Sequence, residues 1–346
     1  MSGRDRLKRR PRPGLETPER EWTRRDFIKR IASASAVALG GCGLAAVLLD
    51  STGPPAELAG KALPGLGDFS LPELAGRPGR MAVARGTDRA RLFTRAIAAL
   101  GGIEAFIKPG DRVLIKVNAA FATPASLGAT THPELLLAVA ELCRKAGAER
   151  VLVADNPIHN PESCFELSGL AEAARAAGAK LVLPRAELFR PATLPGARLI
   201  VNWPVMAGAF AGVTKLVAVA PVKDHHRAEA SMILKNFYGL LGGRRNVFHQ
   251  DINGIIAELA LLARPSFVVL DGVASMMTNG PTGGSLSDLA ATNTLIVSTD
   301  PVAADAFGLT LLGRALQDVP YVRLAAEAGA GSADFAALSP VMLDAG

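Results

Sequence analysis

The sequence predicts an α/β fold, a mostly parallel sheet with helices on both faces, preceded by an N-terminal signal or membrane-anchor helix. Three observations predict it. Short β-rich runs, apolar along their length, recur from residue 81 onward, as strands buried on both faces do. Longer helical patterns separate several of them. One uncharged run lies near the N-terminus, directly behind a basic segment.

Residues 1–30 hold 11 Lys/Arg against 5 Asp/Glu, which accounts for the whole net charge of +6 and for a pI near 9.5. The remaining residues are balanced, so composition offers no case for a nucleic-acid partner. The segment lacks apolar periodicity and reads as a disordered leader. Inside it, Thr23-Arg24-Arg25-Asp26-Phe27-Ile28-Lys29 matches a twin-arginine export signal, with Arg24 and Arg25 as its pair. Residues 31–49 carry no charge. A helix of that length spans about 28 Å, enough for a bilayer core, and the arginines before it keep the N-terminus cytoplasmic. Leu39-Gly40-Gly41-Cys42 resembles a lipobox, which would make Cys42 a lipid attachment point. The apolar run continues beyond Cys42, however, which suits an uncleaved anchor. Either route uses the twin-arginine export machinery and leaves the body membrane-tethered, facing the periplasm or cell exterior. Gly- and Pro-rich residues 50–80 read as a linker.

Residues 81–346 read as one α/β domain. A boundary near residue 205 would divide it into two lobes, but no linker composition marks it. Strands are expected at 81–85, 112–118, 150–155, 180–184, 198–202, 215–222, 266–271 and 294–299. Helices are expected at 88–107, 132–147, 161–178, 251–263, 301–314 and 320–329. Thr131 with Glu134 has the pattern of a capping box, Pro133 suits a first turn, and Gly147 suits a stop. Cys42, Cys143 and Cys164 show no CxxC spacing, so an iron–sulfur cluster is not expected. Cys143 and Cys164 fit two small buried side chains better than a disulfide formed after export.

Ligands of open α/β sheets bind beyond the carboxyl ends of the strands. The expected strands end on Lys116 and Asn118, Asp155, Asn202, then Lys223, Asp224, His225 and His226, then Asp271, and finally Asp300, with Asp305 close behind. That set implies one polar rim. Asp155, Asp271, Asp300 and Asp305 are candidate ligands for a hard divalent cation. Each could instead cap a helix, and Asp300-Pro301 has the Ncap–N1 pattern. Thr131 and His132 sit at a helix start, which favours an anion. In "MTNGPTGGS", 277–285, Asn279, Gly280 and Pro281 open a glycine-rich turn able to offer backbone N–H groups. Residues 222–239 gather Lys223, His225, Lys235, Asn236 and Tyr238; Lys235 and Tyr238 share a face if that segment is helical. His225 and His226, with His159 or His249, are a weaker transition-metal alternative, since no HExxH spacing occurs. The absence of GxSxG, Walker A and GxGxxG motifs leaves a serine hydrolase or a nicotinamide dehydrogenase without support.

The segments "LIKVN", "TTHPELLLAVAELCRKAGAERVLVADNP", "CFELSGL", "PVKDH", "ILKNFYG", "VVLDGVASMMTNGPTGG" and "STDPVAADAFG" occur in order over about residues 112–314. Together they resemble the domain-of-unknown-function family 362, DUF362, in its form with a twin-arginine leader. Other members carry a ferredoxin-like module, whose cluster cysteines this chain lacks. The family's LKTH-like segment corresponds to Val222-Lys223-Asp224-His225, its Lys-Asn to Lys235-Asn236, and its Asn-Gly-Pro to Asn279-Gly280-Pro281. The resemblance implies no established activity.

The expected function is therefore that of an exported, membrane-tethered protein binding a small anionic ligand, a divalent metal, or both. Lys116, Asn118, Thr131, His132, Asn236, Tyr238, Asn279, Gly280 and Pro281 would contact the ligand. If the protein is an enzyme, Lys223, His225, Lys235 and Asp271 would carry the chemistry, with His225 as proton carrier. The alternative is a non-catalytic ligand-binding or accessory module of a membrane redox complex.

Overall fold

The computed structural model describes residues 62–71 and 80–344. The leader, the anchor segment, Arg24, Arg25 and Cys42 lie outside the described residues. Eight strands form the main path of one sheet: β1 (Met81–Arg85), β2 (Arg112–Lys116), β3 (Arg150–Ala154), β4 (Lys180–Val182), β5 (Lys215–His225), β6 (Phe267–Met276), β7 (Thr294–Ser298) and β8 (Val341–Asp344). Their order is β8-β1-β7-β6-β5-β2-β3-β4. Only β7 runs against its neighbours β1 and β6; the other adjacent pairs are parallel. Short strands Glu229–Ser231 and Leu289–Ala290 add to β5 and β6 as antiparallel extensions.

The alternation of β5 explains the layers. Leu216, Ala218, Ala220 and Val222 enter the core built with α5 (Ile233–Asn236), α6 (Ile252–Leu262), α7 (Pro301–Leu311) and α8 (Pro320–Glu327). Val217 and Val219 point the other way, into the core built with α1 (Arg89–Ala99), α2 (Pro133–Lys145), α3 (Pro161–Leu167) and α4 (Leu170–Ala176). One sheet spans the position near residue 205, because β2 pairs with β5 across it.

Several local expectations change. Residues 198–202 are not a strand. The N–H groups of Arg198, Leu199 and Ile200 donate to the Glu258 carboxylate, and Asn202 takes a left-handed φ of 48°. A carboxylate on α6 has thus replaced a strand partner. The helix expected over 161–178 breaks at Gly169, whose φ is 77°. The N-cap of α2 is His132 rather than Thr131, and no side chain caps it. Thr131 Oγ1 instead accepts from Asn118 N and donates to Val219 O. Part of the expected linker is built into the fold: Gly67–Asp68 pairs with Ala263–Arg264, and Leu71 is buried. Strand β8 was not legible as a strand. Cys143 and Cys164 are free and buried, and burial pushes their thiols up to about 12 and about 11.

The reversed strand matters for chemistry. Thr294 of β7 pairs with Gly272 of β6, while Ser298 pairs with Val268 near the start of β6. Asp300, just beyond Ser298, therefore lies at the opposite end of the sheet from the ends of β2, β3 and β5. The single rim expected from the strand ends loses Asp300 for this reason.

Candidate anion-binding cavity

Past the ends of β2, β3 and β5 opens a cavity of about 960 Å³. Its walls bring together residues expected from the sequence: Asn118, Asp155, Lys223, His225, Lys235, Asn236, Tyr238, Asn279, Gly280 and Pro281. Lys116, Thr131, His132, Asp271, Asp300 and Asp305 do not line it.

The floor is a saturated ion pair. Lys116 Nζ donates to Asp155 Oδ1 at 2.8 Å, to Val117 O at 2.8 Å and to Asn236 Oδ1 at 3.1 Å. Its three hydrogens are used, and it lies buried beneath the cavity lining. Burial pushes its pKa down, while Asp155 pulls it back up. Asp155 is just as occupied: Oδ2 accepts from Ala119 N at 2.6 Å and Oδ1 from Asn156 N at 2.9 Å. Gly239 permits the pair, since a Cβ there would lie 2.0 Å from Asp155 Oδ1.

Above this floor, among the described residues, no cation lining the cavity is paired with a carboxylate. Lys223 Nζ donates to Ala129 O at 2.7 Å and Asn118 Oδ1 at 3.4 Å, and lies 5.6 Å from the centre of the Phe121 ring. Burial, followed by the charge of Lys235, pushes its pKa down to about 7. Lys235 Nζ sits 5.3 Å from the Tyr238 ring centre. The shared face expected for these two residues is real, because α5 runs on into a 3-10 turn at Phe237–Leu240. Burial, then Arg245, pushes Lys235 down to about 8. Tyr238 donates to Arg245 O, and burial pushes its phenol up to about 12.

His225, expected as a proton carrier, has its ring fixed by the backbone. Its Nδ1 accepts from Arg227 N and Ala228 N, both at 3.1 Å. The proton of the neutral ring is therefore on Nε2, making it a donor. Burial and the charge of Lys235 push its pKa down to about 2, so it stays neutral. His226 stacks on it at 4.9 Å between ring centres, and His249 lies 6.5 Å away.

The glycine-rich loop forms another wall. Asp224 accepts from Gly280 N at 3.0 Å, and Arg314 pairs with the other carboxylate oxygen of Asp224. A Cβ on Gly280 would lie 1.9 Å from Asp224 O, so the close approach requires glycine. Asn279 Nδ2 and Thr278 Oγ1 both donate to Asp288 Oδ1, at 2.6 and 2.9 Å.

The four aspartates expected as metal ligands are dispersed. Asp155 holds Lys116. Asp271 pairs with Arg89 at 2.7 Å and accepts from Val273 N at 3.0 Å. Asp300 caps α7 through Val302 N and Ala303 N and also accepts from Ser332 N. Asp305 accepts from Ile233 N at 2.9 Å and Leu234 N at 3.0 Å, fixing the start of the helix that carries Lys235 and Asn236. Burial pushes Asp305 up to about 8. Among the described residues no group of three or more His, Cys, Asp or Glu is placed to hold a metal. His159 instead accepts from Ala122 N at 3.3 Å.

Sequence reasoning missed Arg245. It reaches the cavity wall and donates to Pro157 O at 2.8 Å and Leu241 O at 3.2 Å. Its signal was present in "GGRRN", where two glycines bend the chain back after Tyr238, but nothing there separates Arg245 from the exposed Arg244.

A sequence model of the family described as a domain of unknown function, DUF362, matches residues 113–310. The chain belongs to the DUF362 family. Every cavity-lining residue named above falls inside the matched DUF362 span. A thylakoid-associated protein of Synechocystis sp. is 26% identical over 214 residues, covering 60% of this chain and 64% of its own length. This DUF362 chain thus spans less than two thirds of that relative. Among solved structures, the apoprotein of a lactate racemase from Thermoanaerobacterium thermosaccharolyticum is similar at 16% identity and a TM-score of 0.39. That match covers 70% of this chain and 58% of the racemase.

Proposed function

We propose that this DUF362 chain binds a small organic anion in the cavity beyond β2, β3 and β5. One observation carries the reading. Lys223, Lys235 and Arg245 face a common space, and the one carboxylate lining it among the described residues, Asp155, is spent on Lys116. A concave cavity lined by surplus positive charge and low-dielectric walls attracts anions more strongly than exposed lysines do. The Nε2–H of His225 and the amide of Asn118 add neutral donors that would orient the ligand. The volume lies within the range of small-molecule sites. With the aspartates dispersed, an anion is the better-supported ligand than a divalent cation.

Placement is a second part of the proposal. The twin-arginine pair and the uncharged run that follows support export and tethering of the body outside the cytoplasm. The thylakoid association in the relative's name supports an attached location. Fractionation of cells carrying Arg24→Lys with Arg25→Lys should find the body retained in the cytoplasm; unchanged export would remove this part.

Thermal-shift screening of the purified chain against small carboxylates and phosphates tests the ligand reading. At least one anion should raise the melting temperature in a saturable way. Equal, non-saturating responses to all salts would overturn it.

A further inference from the structure

Lys223 differs from the other cations of the cavity in how its hydrogens are used. Its Nζ donates to Ala129 O and Asn118 Oδ1, and the nearest carboxylate of the cavity is bonded to Lys116 instead. A neutral amine has two hydrogens and one lone pair. The two acceptors take the two hydrogens, which leaves the lone pair free for attack. Lys235 lies close enough to disfavour a second positive charge, and Lys223 itself is about 1% exposed. A desolvated lysine beside another cation is a physical route to an amine that is nucleophilic near neutral pH.

The surroundings also suit the partner of such an amine. His225 Nε2–H is a fixed donor for a carbonyl oxygen. Lys235 and Arg245 would hold a neighbouring anionic group. We propose that Lys223 forms an imine with a small carbonyl compound that carries an anionic group, the class of 2-oxo acids. The step balances without a redox partner. The lone pair of Lys223 Nζ adds to the carbonyl carbon, and the carbonyl π pair moves to oxygen. A proton transfers from nitrogen to that oxygen, and with one more proton the hydroxyl leaves as water. A protonated C=N bond to Lys223 remains. This inference rests on the anion-binding reading and specifies its ligand.

Glyoxylate with cyanoborohydride tests it in the full wild-type chain, so no variant has to fold. Hydride reduces any imine to a secondary amine, fixing a carboxymethyl group that peptide mass spectrometry locates. Near neutral pH, Lys223 should be labelled at least about tenfold faster than the exposed Lys145 and Lys180, because ordinary lysines remain protonated there. Excess malonate, which has no ketone or aldehyde, should slow the labelling of Lys223 and leave Lys145 and Lys180 unchanged. Labelling of Lys223 no faster than Lys180, or preferential labelling of Lys235, would overturn the imine. The two readings separate cleanly: malonate stabilising the chain without labelling of Lys223 sinks only the imine. Fast labelling of Lys223 that malonate does not slow keeps the imine and counts against the anion cradle.

Discussion

Two buried regions of one sheet use charge in opposite ways. On the face carrying α1 and α2, Asp271 is bonded to Arg89, and His132 stands near both. Acid and base are matched there, and the pair anchors a helix to a strand. Above the Lys116–Asp155 floor, Lys223, Lys235 and Arg245 line the cavity, and among the described residues none of them pairs with a carboxylate. A folded chain does not leave cations half-desolvated for stability, since desolvation disfavours them. The matched region serves the fold; on the proposed reading, the unmatched region serves a ligand.

The sharpest break of this contrast is at the floor. Lys116→Ala or Asp155→Ala leaves a buried charge uncompensated, with an expected cost of about 3–5 kcal/mol. Urea unfolding followed by circular dichroism should find both variants strongly destabilised; a loss under about 1 kcal/mol would mean the floor is not a closed pair. Next comes Arg89→Ala. It deprives buried Asp271 of a charged partner and should cost about 1.5–3 kcal/mol, yet leave anion affinity unchanged by calorimetry. A change in affinity would blur the distinction between the two regions.

Acidity gives a smaller, graded effect. Lys223 and Lys235 lose their protons near about 7 and about 8, and only the protonated forms attract an anion. Affinity should therefore be highest below both values and fall as pH rises through that window. His225, held neutral, contributes no such dependence. Affinity flat from about pH 6 to about pH 9 would imply that other groups hold the ligand.

The comparison also explains what the sequence could reveal. Continuous apolar strands such as Lys215–His225 announce a sheet covered on both faces, and seven of the eight expected strand positions became strands of the main sheet. Lys223, His225, Lys235 and Asn236 were legible because they cluster in one short stretch after such a strand. Asp300 was misplaced because strand direction is not written in an apolar run; only the pairing of β7 against β6 reveals it. Asp300 was open to a metal-ligand reading because a carboxylate that caps a helix and one that binds a cation have the same local sequence, while the ion pairs of Asp155 and Asp271 depend on residues distant in sequence. Arg245 was invisible because its position depends on a tertiary turn after Tyr238.

Calorimetric titration of malonate into three chains near neutral pH tests the charge imbalance most directly. Wild type should bind, Lys235→Gln should bind about tenfold more weakly or worse, and Arg89→Gln should match wild type. Equal binding by wild type and Lys235→Gln, or weakening by Arg89→Gln of the same size, would contradict the assignment of the unmatched cations to a ligand.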